Sequence, residues 1–381
     1  LNADRSVITL TATTVLPTTV MRIFGFTELS LEAQSEITRA TKGMELVLVM
    51  DVTGSMAGTK IVDMKNAATG LVNNLYGDET EMDNFWVALV PYAVTVNIGR
   101  NAETMSWLKV APSTLFPTGF PHPINSDQGW KGCVEARTGG WDTSEMPPVA
   151  GTTHSYFHPY YWADHNTDHN WQTGPTTFSI NESLGYSDSG GRGPNLGCGP
   201  AITPFKTQKS DILTAISQMQ PWRRGGTVSS EGLAWGWRLM SPHWRGKWAH
   251  ADAVLPLDYN TPLMNKVVII LTDGANQMFD QSSVDPPVTD YGAYRRVEDN
   301  MLGTTNQEEG RRRINARTTA LCNAMKARGI IIYTLTFQLG NSTAENEGRT
   351  TFRNCATTPD FYFDSPSGED LNDAFQAISD S

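Results

Sequence analysis

The run Glu45-Leu46-Val47-Leu48-Val49-Met50-Asp51-Val52-Thr53-Gly54-Ser55-Met56 decides the fold. Five consecutive apolar residues lead to Asp51 with none of the polar alternation of a half-exposed strand, which predicts a parallel strand buried on both faces. Lys60 to Leu75 follows with apolar residues at 61, 64, 68, 71, 72 and 75, a helical period. The pattern recurs down the chain. Phe85 to Tyr92, Val267 to Leu271, Ile330 to Phe337 and Phe361 to Phe363 read as further strands. Ser210 to Met219, Ser229 to Met240, Glu308 to Arg328 and Asp370 to Ser379 read as helices, and Val94 to Ile98 as a strand hairpinning back from Phe85 to Tyr92. Strands alternating with helices predict an α/β fold, a doubly wound, mostly parallel open sheet of Rossmann-like type.

Outside this core, residues 1–43 carry a Thr/Val alternation (Val7-Ile8-Thr9-Leu10-Thr11) and read as a separate N-terminal, β-containing segment, with Ser30 to Ala40 helical or extended. Residues 44–381 form the α/β domain, interrupted by two insertions. One, 98–205, lacks periodicity and is crowded with Gly, Pro, Trp, Tyr and His; the other, 277–306, reads as a polar loop with Pro286-Pro287. Following an antiparallel return strand, the first should be rooted opposite the carboxyl ends of the parallel strands.

Composition narrows the function. The 381 residues carry 40 Asp and Glu against 29 Lys and Arg, a net charge of −11, and the basic runs Arg223-Arg224, Arg295-Arg296 and Arg311 to Arg313 are short and scattered. Nucleic acid is therefore not an expected partner, since phosphate binding needs clustered cations. No stretch reaches the 18 apolar residues of a membrane span. The chain opens on Leu1, which suggests that a preceding segment has been removed.

Cys133, Cys198, Cys322 and Cys355 form no CxxC pair, and an even count in a chain of low charge points to two disulfides in an oxidising compartment. Three pairings are open to four cysteines. Cys322 lies late in one descending helix and Cys355 late in the next descending segment, so both reach the same end of the sheet. Cys133 and Cys198 share the long insertion. These placements favour Cys133–Cys198 and Cys322–Cys355.

Chemistry concentrates at one edge. Asp51, Thr53 and Ser55 follow the first buried strand, Gly225-Gly226-Thr227 precedes the Ser229 helix, and Asp273 follows Leu271-Thr272. In open α/β sheets ligands bind beyond the carboxyl ends of the strands, where all three loops fall. Two carboxylates and three hydroxyls make an all-oxygen set suited to a hard divalent cation: Mg²⁺, with Mn²⁺ or Ca²⁺ by substitution. With so few anionic ligands the ion keeps waters and an exchangeable position that an acidic group on a partner can fill.

This constellation resembles the metal-ion-dependent adhesion site (MIDAS) of von Willebrand factor A (VWA) domains, whose pattern is Asp-x-Ser-x-Ser, then a distant Thr, then a distant Asp. Asp51, Thr53, Ser55, Thr227 and Asp273 match it, with Thr53 in place of the first Ser. A narrower resemblance, to TadG-like proteins of bacterial tight-adherence (Tad) pili, rests on Leu48 to Met56, Val87 to Tyr92, Gly232 to Arg238, Leu321 to Lys326 and Asn354 to Ala356. It also includes Asp370-Leu371 and Ala374-Phe375. It implies a non-enzymatic, extracellular, pilus-associated adhesion module near a pilus tip, with other pilus subunits as partners. Residues 1–43 would then be a stalk or pilin-like remnant, and any membrane link would run through an N-terminal helix missing from this sequence. The alternative within the same resemblance is a structural pilus-assembly subunit with no adhesive role.

Weaker signals compete. His154, His158, His165 and His169 form two H-x3-H pairs that could clasp a second metal, although Pro159 disfavours the helix such spacing needs. Ser187-Asp188-Ser189-Gly190-Gly191 looks like a protease nucleophile region without the matching fold. Gly54 to Lys60 resembles a phosphate loop with the wrong Gly-to-Lys spacing.

Overall fold

The computed structural model describes residues 7–25, 27–38, 43–117, 119–120, 129–165, 169–182, 191–278, 280–281 and 288–380. The chain divides into two units, Leu1–Gly43 with Pro262–Met264, and Met44–Thr261 with Asn265–Ser381. The first unit is a hairpin of Val7–Pro17 (β1) and Glu28–Thr38 (β2), antiparallel in unbroken register from Val7 opposite Thr38 to Pro17 opposite Glu28. The segment from Ser30 onward is thus extended rather than helical. A 3-10 turn at Met21–Phe24 joins the strands and buries none of its residues.

In the second unit the elements run Gly43–Asp51 (β3), Thr59–Tyr76 (α1), Phe85–Tyr92 (β4), Thr203–Lys206 (β5), Lys209–Ser217 (α2) and Ser229–Met240 (α3). Then come Met264–Thr272 (β6), Gln307–Ala327 (α4), Ile331–Phe337 (β7), Thr343–Cys355 (α5), Tyr362–Ser365 (β8) and Gly368–Asp380 (α6). The six strands form one sheet in the order β8-β7-β6-β3-β4-β5. β3 and β4 pair in parallel, with Leu48 beside Leu89 and Asp51 beside Tyr92, as do β6 with β7 and β7 with β8. Only β5 runs antiparallel, at the edge where its Pro204 removes no needed donor. The result is an α/β fold, a mostly parallel sheet with helices on both faces, as the alternating pattern predicts.

The residues of β3 alternate between the faces. Leu46, Leu48 and Met50 enter the core with Met64 and Leu71 of α1, Ile212 of α2 and Phe375 of α6. Val47 and Val49 turn to the other side and meet α3. There Gly232 and Gly236, one turn apart, let the helix touch the sheet: a Cβ on Gly232 would stand 2.6 Å from the Tyr92 ring, and one on Gly236 2.8 Å from Val49. All twelve residues of α3 are buried.

Three expectations are corrected here. Val94 to Ile98 does not hairpin onto β4; Val96–Asn97 pairs with Cys133–Val134, and the antiparallel neighbour of β4 is β5. The apolar spacing of Val94 serves a different contact, since its methyl groups fill the space beside Gly225 and Gly292. In consequence the 98–205 insertion leaves after Tyr92 and returns at Thr203 opposite Leu89, so both its roots lie at the carboxyl edge, not opposite it. The 277–306 segment is likewise more than a polar loop. Ala293, Tyr294, Val297 and Leu302 are buried in one cluster with Val94 and Ile314.

The insertion builds its own interior against α3. Trp107 stacks edge-on to Trp244 at 4.9 Å, and Phe157 lies 4.7 Å from Trp235. Cys133 is bonded to Cys198 (Cα–Cα 5.7 Å), packed with Tyr160 and Trp162, and Cys322 to Cys355 (5.1 Å) across α4 and α5. Beneath the insertion lies a buried charged group. Arg238 Nη2 donates to Asp142 O at 2.8 Å and Arg317 Nε to Asp142 Oδ2 at 2.6 Å, while the Glu231 carboxylate has no hydrogen-bond partner. Burial pushes the Glu231 carboxyl up to about 7, against the opposing pull of Arg238.

Candidate metal centre

Strand β3 ends where its backbone partners change. The Val52 N–H donates to Tyr92 O, and Val52 O accepts the Trp222 N–H at 2.7 Å. The Thr53 N–H turns back onto Asp51 Oδ1 at 2.8 Å, an Asx-type turn that starts the 3-10 segment Gly54–Met56. This places Thr53 Oγ1 2.9 Å from Ser55 Oγ, and Ser55 Oγ donates to Asp273 Oδ1 at 2.6 Å. Asp51 Oδ2 accepts the Thr272 hydroxyl at 2.9 Å.

Thr227 arrives on a two-residue ribbon, Gly226–Thr227 against Gln277–Met278. Gly226 has φ +104°, and a Cβ there would stand 2.1 Å from Gln277 O, so glycine is required. The preceding turn is held by Asp290, which accepts from Arg224 Nε and the Gly225 N–H, each at 3.0 Å. The position a Cβ on Gly274 would take lies 3.9 Å from Ser55 Oγ and 4.0 Å from Thr227 Oγ1. Asp51, Thr53, Ser55 and Asp273 are therefore joined by hydrogen bonds or neighbouring backbone at the carboxyl edge of β3 and β6, and Thr227 approaches the Gly274 backbone on the side that Ser55 does.

Asp51, Thr53, Thr227 and Asp273 are buried, while Ser55 is exposed and opens the cluster to solvent. Burial, and then the Asp273 charge, push the Asp51 carboxyl up to about 7. Two covered carboxylates side by side form a site that a cation would neutralise. The donor set fits a hard divalent ion: two carboxylates and three hydroxyls, with no nitrogen or sulfur among them. Among the described residues no three His, Cys, Asp or Glu side chains gather as a metal-ligand group, so a cation here would depend on hydroxyls and water.

Lys60 was missed as a site residue. Its ammonium donates to Asp273 Oδ2 at 2.8 Å, across 213 positions of sequence. Its place within the supposed phosphate loop was visible, but nothing in the sequence indicates its partner.

The four histidines are spread among different contacts. His154 Nδ1 lies 2.6 Å from Thr138 Oγ1. His158 Nδ1 sits 3.5 Å from Glu135. His165 and His169 exchange backbone hydrogen bonds, and the buried His169 ring stacks on Trp162 at 4.1 Å with Nε2 2.8 Å from Gly193 O. The protease-like stretch falls at 187–190, outside the described residues, apart from Gly191.

No protein-family model matches the chain, and no curated protein is significantly similar to it. Several solved structures align with it at low identity and with TM-scores below 0.5. The vWF domain of the type V pili tip protein Mfa5 from Porphyromonas gingivalis aligns with TM-score 0.43 and 11% identity, over 89% of this chain and 95% of that one. The pilus adhesin SpaC from Lactobacillus rhamnosus GG aligns with TM-score 0.40 and 13% identity over 91% of this chain, which spans only 32% of SpaC. The PilB minor pilin from Streptococcus sanguinis gives 0.41 and 11%, over 93% of this chain and 65% of that one. These are likenesses of architecture and say nothing of what this chain binds.

Proposed function

We propose that this chain is a divalent-cation-dependent adhesion module displayed outside the cell and associated with a pilus of the tight-adherence type. Asp51, Thr53, Ser55, Thr227 and Asp273 would hold one Mg²⁺, replaceable by Mn²⁺ or Ca²⁺, and the ion would present an exchangeable position to an acidic group on a protein or surface partner. The observation that carries the reading is the convergence of these five oxygen-bearing side chains, from three separate loops, at the carboxyl edge of the sheet. Two disulfides support the extracellular assignment. We read the site as one of binding because the Ser55 hydroxyl is already committed to Asp273 and lies against Thr53 Oγ1, and Asp51 accepts from the Thr53 N–H and the Thr272 hydroxyl.

Calorimetric titration with Mn²⁺ tests the proposal. The chain should bind one ion, and Asp51→Ala and Asp273→Ala should bind none while keeping the circular dichroism of the parent. Stoichiometric binding retained by Asp51→Ala would overturn it.

A further inference from the structure

The β1–β2 hairpin has two unlike faces. Its register sets Leu10 beside Ser35, Ala12 beside Ala33, Thr14 beside Leu31 and Leu16 beside Leu29 on one face. Thr11 with Gln34, Thr13 with Glu32 and Val15 with Ser30 occupy the other. The first face carries no charge, yet its leucines are 43–54% exposed. The turn is apolar and exposed as well, with Val20, Phe24 and Ile23 at 70%, 73% and 81%. A lone two-stranded ribbon is marginal in water, and soluble proteins rarely leave an apolar patch of this size uncovered.

We propose that this face docks a second copy of the chain, the two hairpins packing face to face about a two-fold axis that runs along the strands. The side-chain profile selects this occupant. About the Ala12–Ala33 rung the neighbouring rungs are mirror images: Leu10 with Ser35 on one side, Leu31 with Thr14 on the other, each a leucine beside a small hydroxyl residue. With β1 laid over the partner's β2, Leu10 meets the partner's Ser35, Leu31 meets the partner's Thr14, and Leu16 meets the partner's Leu29. Leu10 and Leu31 enter the gaps above the partner's Ser35 and Thr14, Leu16 and Leu29 pack leucine on leucine, and the contact is isologous. No charge within the Leu10 to Leu16 and Leu29 to Ser35 face opposes the approach. The four leucines and the turn residues together expose on the order of 800 Å² of apolar surface, about one partner's share of a stable interface. The dimer is independent of the metal site and stands or falls separately from it.

Sedimentation velocity on the full chain at high micromolar concentration tests the inference. The parent should sediment as a dimer. Leu16→Glu/Leu29→Glu and Leu16→Lys/Leu29→Lys should each halve the apparent mass with an unchanged near-UV spectrum of the tryptophan-bearing second unit. An equimolar mixture of the two variants should restore the dimer, because each introduced carboxylate then faces an introduced ammonium. A monomeric parent would overturn the proposal, and flotation of that monomer with phosphatidylcholine–phosphatidylglycerol vesicles would assign the face to lipid instead. A dimer that survives in both charged variants would place the interface elsewhere and also overturn it.

Discussion

Replacing Lys60 by methionine should tighten divalent-cation binding while weakening the metal-free fold. Lys60 Nζ donates to Asp273 Oδ2 at 2.8 Å, with the lysine side chain 22% exposed and the aspartate fully covered. A cation ligated by Asp273 draws on the same carboxylate, so the ammonium competes with it. A hydrogen bond between charged partners nets about 1.5–3 kcal/mol, and the partial exposure of Lys60 places this one at the low end. About 1.5 kcal/mol is roughly tenfold in Kd. Methionine keeps an apolar stem of similar length and removes only the charge. Isothermal titration at low salt should therefore show Lys60→Met binding Mg²⁺ or Mn²⁺ about tenfold more tightly than the parent. In EDTA the same variant should melt at a lower temperature, because the covered Asp273 has lost its counter-charge. Excess Mg²⁺ should close the gap. Unchanged or weaker binding would refute the reasoning, since it would mean that ammonium and cation do not share Asp273.

Two further outcomes follow from the buried features. Cys133→Ala/Cys198→Ala opens a loop of 65 residues and should cost about 4 kcal/mol in urea unfolding, with no added effect of reductant on that loop; a loss under about 1 kcal/mol would show that the insertion is held without its bridge. Glu231, with its carboxyl raised from 4.5 to about 7, ionises more easily unfolded than folded, so its contribution to stability should decline as pH rises from about 4.5 to 7 and level off above. Glu231→Gln should match the parent near pH 4.5 and exceed it at pH 8 by up to about 3 kcal/mol in thermal unfolding; parallel pH profiles for the two proteins would contradict this.

The sheet, and the placement of Asp51 and Asp273 at its carboxyl edge, were legible because each depends on local pattern. Leu46 to Met50 is apolar on both faces, and Asp51, Thr227 and Asp273 each stand at the boundary of such a run or of a helix. Gly226 was legible for a similar reason, since a glycine pair before a helix signals a tight backbone. What escaped depends on distant contacts. Val94, Val96 and Ile98 alternate like a sheet strand, but Val94 packs against glycines some 130 and 200 positions on, Gly225 and Gly292. The true edge strand, Thr203–Lys206, has four residues with one proline and one lysine, too short and mixed to show a period. Ala293, Tyr294 and Val297 were masked by the adjacent Arg295, Arg296, Glu298 and Asp299, whose charges made a buried segment look solvated. Lys60 belongs to the same class, because charge pairing over 213 positions leaves no local trace.

The roots of the long insertion carry a consequence for how recognition can diversify. Because residues 98–205 both leave and rejoin the sheet at the carboxyl edge, this hundred-residue segment is anchored beside the loops proposed to bind the ion while contributing none of the proposed ligands. On the proposed function, the residues that would grip an acidic group and the surface around that group are thus encoded in separate tracts of the gene. Drift within one tract can retarget the molecule while the other preserves a constant mode of attachment, a division of labour similar in logic to variable loops carried on an invariant framework.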